Sequence, residues 1–382
     1  MQYRKFGKLD WKVSALGFGA MRLPILNNNM ANIDEPEAIR MIRYAIDHGV
    51  NYIDTAYVYH NGKSEVVVGQ ALADGYREKV RIATKLPTWR VDSLQSCDKF
   101  LNTQLTRLQT DKIDFYLLHG LDKGIWKKLC GYNILKWAED AMADGRIGNL
   151  GFSFHDKLSV FKEIVDYYDN WTFSQIQYNY IDEDFQAGTK GLKYAHEKGL
   201  AVVIMEPVKG GYLARPPRQV ARLWTTAAHR RTPAEWALRW VWNHPEVSVV
   251  LSGMSTIEQV EENVSVADNA LPNKLMPDEL ALIGEARDSY RSLIPIPCTG
   301  CKYCLPCPNG VAIPQIFELY NEAVSYNSPQ LSRDRYNSPY LLKKEQRADN
   351  CKKCKKCAEK CPQKIEIPEW LGKAHDFLKI KE

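Results

Sequence analysis

Cysteine is nearly absent from the first 297 residues, which hold only Cys97 and Cys130, while the last 85 carry the other eight of the ten. So uneven a distribution excludes a disulfide scaffold for most of the chain, and in a reducing compartment clustered thiols favour metal ligation. No run of 18 apolar residues occurs, and the opening MQYRKFGKLDW lacks the continuous apolar core of a secretory signal. A cytoplasmic protein with no membrane partner is therefore expected. An excess of one charge is also missing. The formal net charge is +5, and apart from Lys352, Lys353, Lys355, Lys356 and Lys360 the basic residues are scattered, which does not suggest a nucleic-acid partner.

What is present is a globular composition, 45% apolar and 25% charged over 382 residues, long enough for one large and one small domain. From residue 13 to 268, short β-branched or aromatic runs alternate with stretches of helical period. Eight strands are predicted, starting at Val13, Asn51, Arg81, Ile113, Ile147, Phe173, Leu200 and Val247. Helices are predicted over Pro36 to His48, Ser64 to Ala73, Ser93 to Leu108, Ile134 to Asp144, Lys157 to Tyr168 and Thr232 to Trp242. Eight βα units close a (β/α)8 TIM barrel, an α/β fold. Met1 to Lys12 could form a hairpin that plugs its floor.

Near Cys298, after a Pro-punctuated stretch, the composition changes. Ile294-Pro295-Ile296-Pro297 reads as an extended linker, and CPNGVAIPQIF from Cys307 recurs as CPQKIEIPEWL from Cys361, 54 residues later. This internal duplication gives two halves, each a cysteine run followed by a helix starting at Pro314 or Pro368. The division expected is a barrel over 1–290 and a small, mostly helical domain over 291–382.

Reactive groups of such a barrel sit where strands hand over to their C-terminal loops. Asp54 and Tyr59 follow the second predicted strand, Lys85 ends the third and His119 the fourth. Protonating a reduced carbonyl oxygen needs a weak acid, and tyrosine near pKa 10 needs help at neutral pH. A buried Lys⁺ lowers its pKa, a carboxylate keeps that lysine charged, and a histidine orients the oxygen. Taken singly, each has an ordinary reading as cap, solvated cation or core histidine, and periodicity does not separate Tyr59 from Tyr57.

DTAYVYHNGKSE, the ATKLP lysine, the LLHG histidine and GFSFH resemble the aldo-keto reductase superfamily over roughly residues 1 to 290. The resemblance implies an NAD(P)H-dependent oxidoreductase acting on CH–OH groups. Its catalytic tetrad carries over to Asp54, Tyr59, Lys85 and His119, and the spacing selects Tyr59 over Tyr57. A dinucleotide bound across the barrel mouth is implied, consistent with the lack of a GxGxxG run. The resemblance places Ser153 and Gln175 at its carboxamide and Met205 where an aromatic often stacks on the nicotinamide. Gly253, Ser255, Gln259, Glu262 and Asn263 are placed at the adenosine phosphates, with Gly19, Met21, Asp54 and Pro207 also lining the cofactor. Some family members grip the extra phosphate of NADP with an arginine at the position of Gln259 and a lysine near Gly253. Neither is present, and any of Arg215, Arg218, Arg222, Arg230 and Arg231 could supply the charge, so the cofactor is NADP or NAD.

Cys351, Cys354, Cys357, Cys361 and Pro362 have the C-x2-C-x2-C-x3-C-P spacing of bacterial ferredoxins, and Cys298, Cys301, Cys304, Cys307 and Pro308 fall one residue short of it. Two 4Fe-4S clusters are expected. By the duplicated arrangement one uses Cys298, Cys301, Cys304 and Cys361, and the other Cys351, Cys354, Cys357 and Cys307. Zinc, which prefers paired C-x2-C knuckles, fits triplet runs less well. The whole chain thus resembles the iron–sulfur branch of the superfamily. The lysines among the second run read either as compensation of cluster charge, the favoured reading, or as a docking patch for an acidic electron carrier. Alternatives to a carbonyl reductase are an electron-transfer protein, coupling the clusters and a partner to nicotinamide or an unseen flavin, and a cofactor-binding sensor with little turnover.

Overall fold

A computed structural model describes every residue except Asn28, Thr299, Lys381 and Glu382. Strands β1 (Tyr3–Lys5) and β2 (Lys12–Ser14) form an antiparallel hairpin. Strands β3 (Leu16–Gly19), β4 (Tyr52–Asp54), β5 (Arg81–Leu86), β6 (Ile113–Leu121), β7 (Ile147–Phe154), β8 (Phe173–Gln177), β9 (Ala201–Met205) and β10 (Val249–Ser252) close a barrel, β10 returning in parallel to β3. The expected (β/α)8 architecture is present. The first predicted strand divides in two: Val13 belongs to the hairpin and Leu16 to the barrel.

Inward side chains of the barrel are apolar toward one end. Phe6 comes from the turn after β1, is fully buried, and puts its ring 4.7 Å from Phe115, 5.7 Å from Phe173 and 5.9 Å from Tyr52. With Val13, Ala83, Ala201, Val203 and Val249 these rings fill the floor, so the hairpin is the plug the sequence suggested. A floor this apolar excludes charged side chains, because an unpaired buried charge costs several kcal/mol or shifts its pKa. Polar residues of the inner face therefore collect at the opposite, C-terminal ends of the strands.

The helices between strands follow the sequence pattern closely: Glu35–Asp47, Ser64–Ala71, Leu94–Leu108, Ile134–Ala143, Leu158–Tyr167 and Pro233–Trp242. Leu94–Leu108 shows why. Ser93 and Ser96 make a reciprocal capping box at its start, and Gln109 ends it in the left-handed region at φ 53°.

Two compact units interleave along the chain: Met1–Gly210 with Ala234–Met276, and Gly211–Pro233 with Pro277–Glu382. The division thus differs from a single cut after residue 290. Aromatic burial is the reason: Tyr326 stacks on Tyr212 at 4.7 Å and meets Tyr290 at 5.2 Å, which draws both segments into the second unit. Segment 209–231 contains the helix Arg218–Trp224. The supposed linker is also anchored. Ile296 is fully buried, and Asn321 both accepts from its N–H (3.0 Å) and donates to its carbonyl (2.8 Å). The duplicated halves each yield a helix with proline in its first turn, Ile313–Ser325 and Ile367–Leu378. No helix among the described residues is long and apolar enough to cross a membrane.

Candidate active site

Strand register brings the predicted residues together. Asp54 lies opposite Ala83, and Lys85 opposite Leu117, so their side chains emerge at one end of neighbouring strands. Lys85 is 1% exposed and Asp54 3%. The Lys85 ammonium donates to Asp54 Oδ1 at 2.6 Å, to the Thr55 carbonyl at 2.7 Å and to the Tyr59 hydroxyl at 3.4 Å. All three of its protons have acceptors, which is how a cation survives such burial. Burial alone would lower the Lys85 pKa, but Asp54 and Tyr59 outweigh it and the value rises. The His119 ring stands edge-on to Tyr59 at 6.1 Å, with Trp89 5.1 Å away. Burial, then the nearby Lys85 charge, hold His119 well below the usual histidine range, so its imidazole is neutral at physiological pH.

Tyr59 departs from expectation. Its pKa goes up, because desolvation is the largest influence and Lys85 only partly opposes it. The phenol is thus protonated rather than a phenolate, its oxygen accepting from the Lys85 ammonium.

The loop carrying Tyr59 is held in an unusual shape. His60, Asn61 and Gly62 all have positive φ (49°, 55° and 90°), a run that side chains disfavour. His60 accepts from the Leu23 N–H at 3.2 Å and pairs with the Met30 carbonyl at 2.8 Å. Arg107 grips the other side: its guanidinium donates to the Tyr57 carbonyl at 3.2 Å and to Glu65 Oε2 at 3.1 Å, and lies 4.4 Å over the Tyr57 ring. Glu65 is fully buried, and its other oxygen accepts from Thr84 Oγ1 and Gln104 Nε2, both at 2.6 Å. Thr84 points outward from β5 where its neighbour Lys85 points inward, so this network ties the Tyr59 loop to the lysine's own strand. Sequence reasoning missed Glu65 and Arg107.

Around the mouth, the residues expected to line a dinucleotide are partly assembled. Gly19 pairs with Asp54, and a Cβ on it would come 3.2 Å from the Ser252 carbonyl. Among the described residues Gln175 Oε1, His119 Nδ1 and Asp54 Oδ2 are buried without a hydrogen-bond partner. Ser153 is buried, but its hydroxyl accepts from the Gly120 N–H at 2.7 Å. Met205 ends β9 half-buried, Pro207 is buried two residues on, and Met21 is half-exposed. On the far side Ser255 donates to the Arg22 carbonyl and Gln259 accepts from the Ser255 N–H, both at 2.8 Å. Asn263 turns inward, donating to Ser252 Oγ at 3.0 Å, and Glu262 is half-buried on the same helix, Ile257–Ala267. Arg22, not anticipated, runs along this rim: a Cβ on Gly253 would meet its stem at 3.3 Å, and one on Gly210 its guanidinium at 3.0 Å. It makes no ion pair among the described residues. Of the arginines proposed for that charge, Arg231 is paired with Glu279 at 2.6 Å in the second unit.

All ten cysteines are free thiols. Cys298, Cys301, Cys304 and Cys361 line one small pocket, walled by Ile313, Pro314, Phe317, Ile365 and Ile367. Three thiols of the first run thus meet one of the second, as the crossed arrangement requires. Cys357 lies in the field of Cys351 and Cys307, the complementary grouping, while Cys354 is exposed. Burial pushes the Cys304 thiol up to about 11. Among the described residues no three Cys, His, Asp or Glu side chains close on a single metal ion.

Comparison with known proteins agrees with this architecture. Residues 15–278 match the Aldo/keto reductase family, and residues 297–366 match the 4Fe-4S dicluster domain. The holo form of aldo-keto reductase AKR11C1 from Bacillus halodurans is 30% identical, covers 75% of this chain and 96% of its own, and superposes with a TM-score of 0.63. A Klebsiella pneumoniae aldo-keto reductase in complex with NADPH shares the fold at 24% identity, 75% and 95% coverage and a TM-score of 0.60. Probable aldo-keto reductase 1 from Glycine max is 27% identical over 320 residues, 74% of this chain and 88% of that one.

Proposed function

Because the chain belongs to the aldo/keto reductase family, we propose that it reduces an aldehyde or ketone to an alcohol with NADPH or NADH, and that its second unit holds two 4Fe-4S clusters. The observation that carries the first part is the buried Lys85 ammonium shared between Asp54 and Tyr59. A nicotinamide dinucleotide bound at the mouth would supply the hydride. Tyr59 gives its phenolic proton to the developing alkoxide, Lys85 stabilises the phenolate left behind, and Asp54 keeps Lys85 charged. Neutral His119 donates a hydrogen bond to the carbonyl oxygen and orients it. Gln175 holds the carboxamide through its unpartnered Oε1, with Ser153 beside it on the adjoining strand. Gly19, Met21, Met205 and Pro207 line the cofactor, and Gly253, Ser255, Gln259, Glu262 and Asn263 lie around its phosphates. The clusters are held by Cys298, Cys301, Cys304 and Cys361, and by Cys307, Cys351, Cys354 and Cys357. The test is anaerobic purification with iron and sulfide quantification, and a carbonyl panel run against both cofactors. Oxidation of neither NADPH nor NADH across the panel counts against the reductase, and absence of iron against the clusters.

Arg22 supports NADPH as the cofactor, being a cation that lies beside Gly210 and Gly253 and makes no ion pair among the described residues. Arg22→Ala is expected to weaken NADPH binding about tenfold, the size of one charge-assisted hydrogen bond, and NADH much less. Equal losses for both, by fluorescence titration, would place Arg22 on the shared pyrophosphate instead.

Arg107 acts through Tyr59 by fixing its loop. Arg107→Met is expected to lower kcat on the order of 10- to 100-fold, as for a displaced reacting group, with little change in cofactor affinity. In a Tyr59→Phe background the same substitution should then cost almost nothing more. Independent losses in the double variant would show a general structural role. Since Arg107→Met alone strands a buried carboxylate, Glu65→Gln/Arg107→Met provides the charge-neutral version.

A further inference from the structure

The whole net charge of this protein sits in one place. Residues 1–296 hold 36 basic and 36 acidic side chains, whereas residues 297–382 hold 15 and 10. Within that part, the second cysteine run from Cys351 to Lys364 carries six lysines and a single acid, Glu359, so this 14-residue loop equals the formal +5 of the entire chain. Lys352, Lys353, Lys355, Lys356, Lys360 and Lys364 are all exposed, as is Cys354 among them, and none makes an ion pair among the described residues.

Compensation of cluster charge, the reading favoured from the sequence, does not account for this. Two clusters of the same kind carry the same charge, so compensation would distribute cations evenly over both cysteine runs. The first run, from Cys298 to Gly310, has Lys302 and no other charged residue. A six-to-one asymmetry between duplicated halves is instead what an interaction surface on one of them looks like. Gathering one charge sign on one exposed face focuses the field and steers an oppositely charged partner. The backbone also presents the lysines outward: Lys353, Lys355 and Lys364 adopt positive φ (52°, 60° and 51°), turning the chain tightly around the thiols.

We propose that the Cys351–Lys364 loop is the docking surface for an acidic protein that carries one electron at a time. The proposal rests on the cluster reading above. A reduced carrier, docked against the lysines, would give up one electron to the cluster that Cys354 would help hold; the carrier would be oxidised by one electron and the cluster reduced by one, with no bond or proton changing place. An acidic protein is favoured over nucleic acid because the patch surrounds a redox site and carries no exposed aromatic for base stacking.

The test uses anaerobically purified full-length protein and a flavodoxin, an acidic flavin protein, as the probe, with a basic cytochrome c as the opposite-charge control. Binding of flavodoxin should weaken on the order of tenfold between about 50 and 300 mM salt, and cytochrome c should not bind. Lys352→Glu/Lys356→Glu/Lys360→Glu, which avoids the left-handed positions, should lose binding more than tenfold at low salt. Its iron and sulfide content should equal the parent's. Reversing three exposed barrel lysines, Lys127, Lys190 and Lys193, should change nothing. If charge reversal impairs cluster loading, the Gln versions of the same three positions replace it. Undiminished flavodoxin binding by the triple variant, salt-independent binding, or tighter binding of duplex DNA than of flavodoxin at the same salt overturns the proposal. Absence of iron in the parent would instead sink the cluster reading on which it rests, so the two failures are distinct.

Discussion

Tyr59→Phe is expected to lower carbonyl reduction by about 10²–10⁴-fold, the span that a positioned proton donor contributes. The substitution removes one hydroxyl and keeps the ring, so the loop from Tyr57 to Gly62 retains its anchors at His60 and Arg107. Lys85 loses its longest hydrogen bond, at 3.4 Å, but keeps Asp54 and the Thr55 carbonyl, so its charge is not stranded. Cofactor affinity should therefore hold within about twofold, which marks the loss as one of transition-state stabilisation. Turnover by Tyr59→Phe at the parent rate would refute the proton-donor role. The pH dependence has a definite sign. A reductase needs Tyr59 protonated, and burial raises its pKa, so the rate should stay level through neutrality and fall only as alkaline pH removes the proton. A decline beginning below neutrality would require another acid.

The barrel was legible because its signals are local: eight β-branched or aromatic runs alternate with stretches of helical period, and each reports on its own backbone. The four polar residues were legible for the same reason, each lying at the end of a recognisable strand. Choosing Tyr59 over Tyr57 was different, since both sit in one loop. The structure turns the Tyr57 ring under Arg107 and edge-on to Phe100 at 5.0 Å, while Tyr59 faces the ammonium. Only the family spacing gave that answer beforehand. Glu65, Arg107 and Arg22 were not legible, because nothing local distinguishes a first-turn glutamate on a solvated face from one that is fully buried. Their roles come from long-range contacts: Glu65 reaches Gln104, 39 residues away. Likewise Ile294 to Pro297 looked like a linker because proline punctuation is visible in a sequence, whereas the two hydrogen bonds from Asn321 are not.

Cys361→Ser should have the largest effect on the second unit, and it separates two ways of pairing the thiols. If each run binds its own cluster, Cys361 works with Cys351, Cys354 and Cys357. If the arrangement is crossed, it works with Cys298, Cys301 and Cys304, whose cavity it lines. Either way iron should fall from about eight to about four per chain, the content of one cubane. The partner is then read from double variants. Under crossing, Cys298→Ser adds no further iron loss to Cys361→Ser, whereas Cys351→Ser removes the remaining cluster; under separate binding the two outcomes exchange. Stability should follow the same logic. Cys357 belongs to the core built from Ile313, Phe317, Tyr336, Ile367 and Leu371, and Cys298, Cys304, Cys307, Cys351 and Cys361 pack against it. Metal bound by the folded state alone contributes its binding free energy to folding, so a lost cluster loosens that core directly. Limited proteolysis of Cys361→Ser should cut within 297–382 and leave the barrel intact, still binding NADPH. A variant that keeps all its iron and resists protease as the parent does would remove Cys361 from the ligand set.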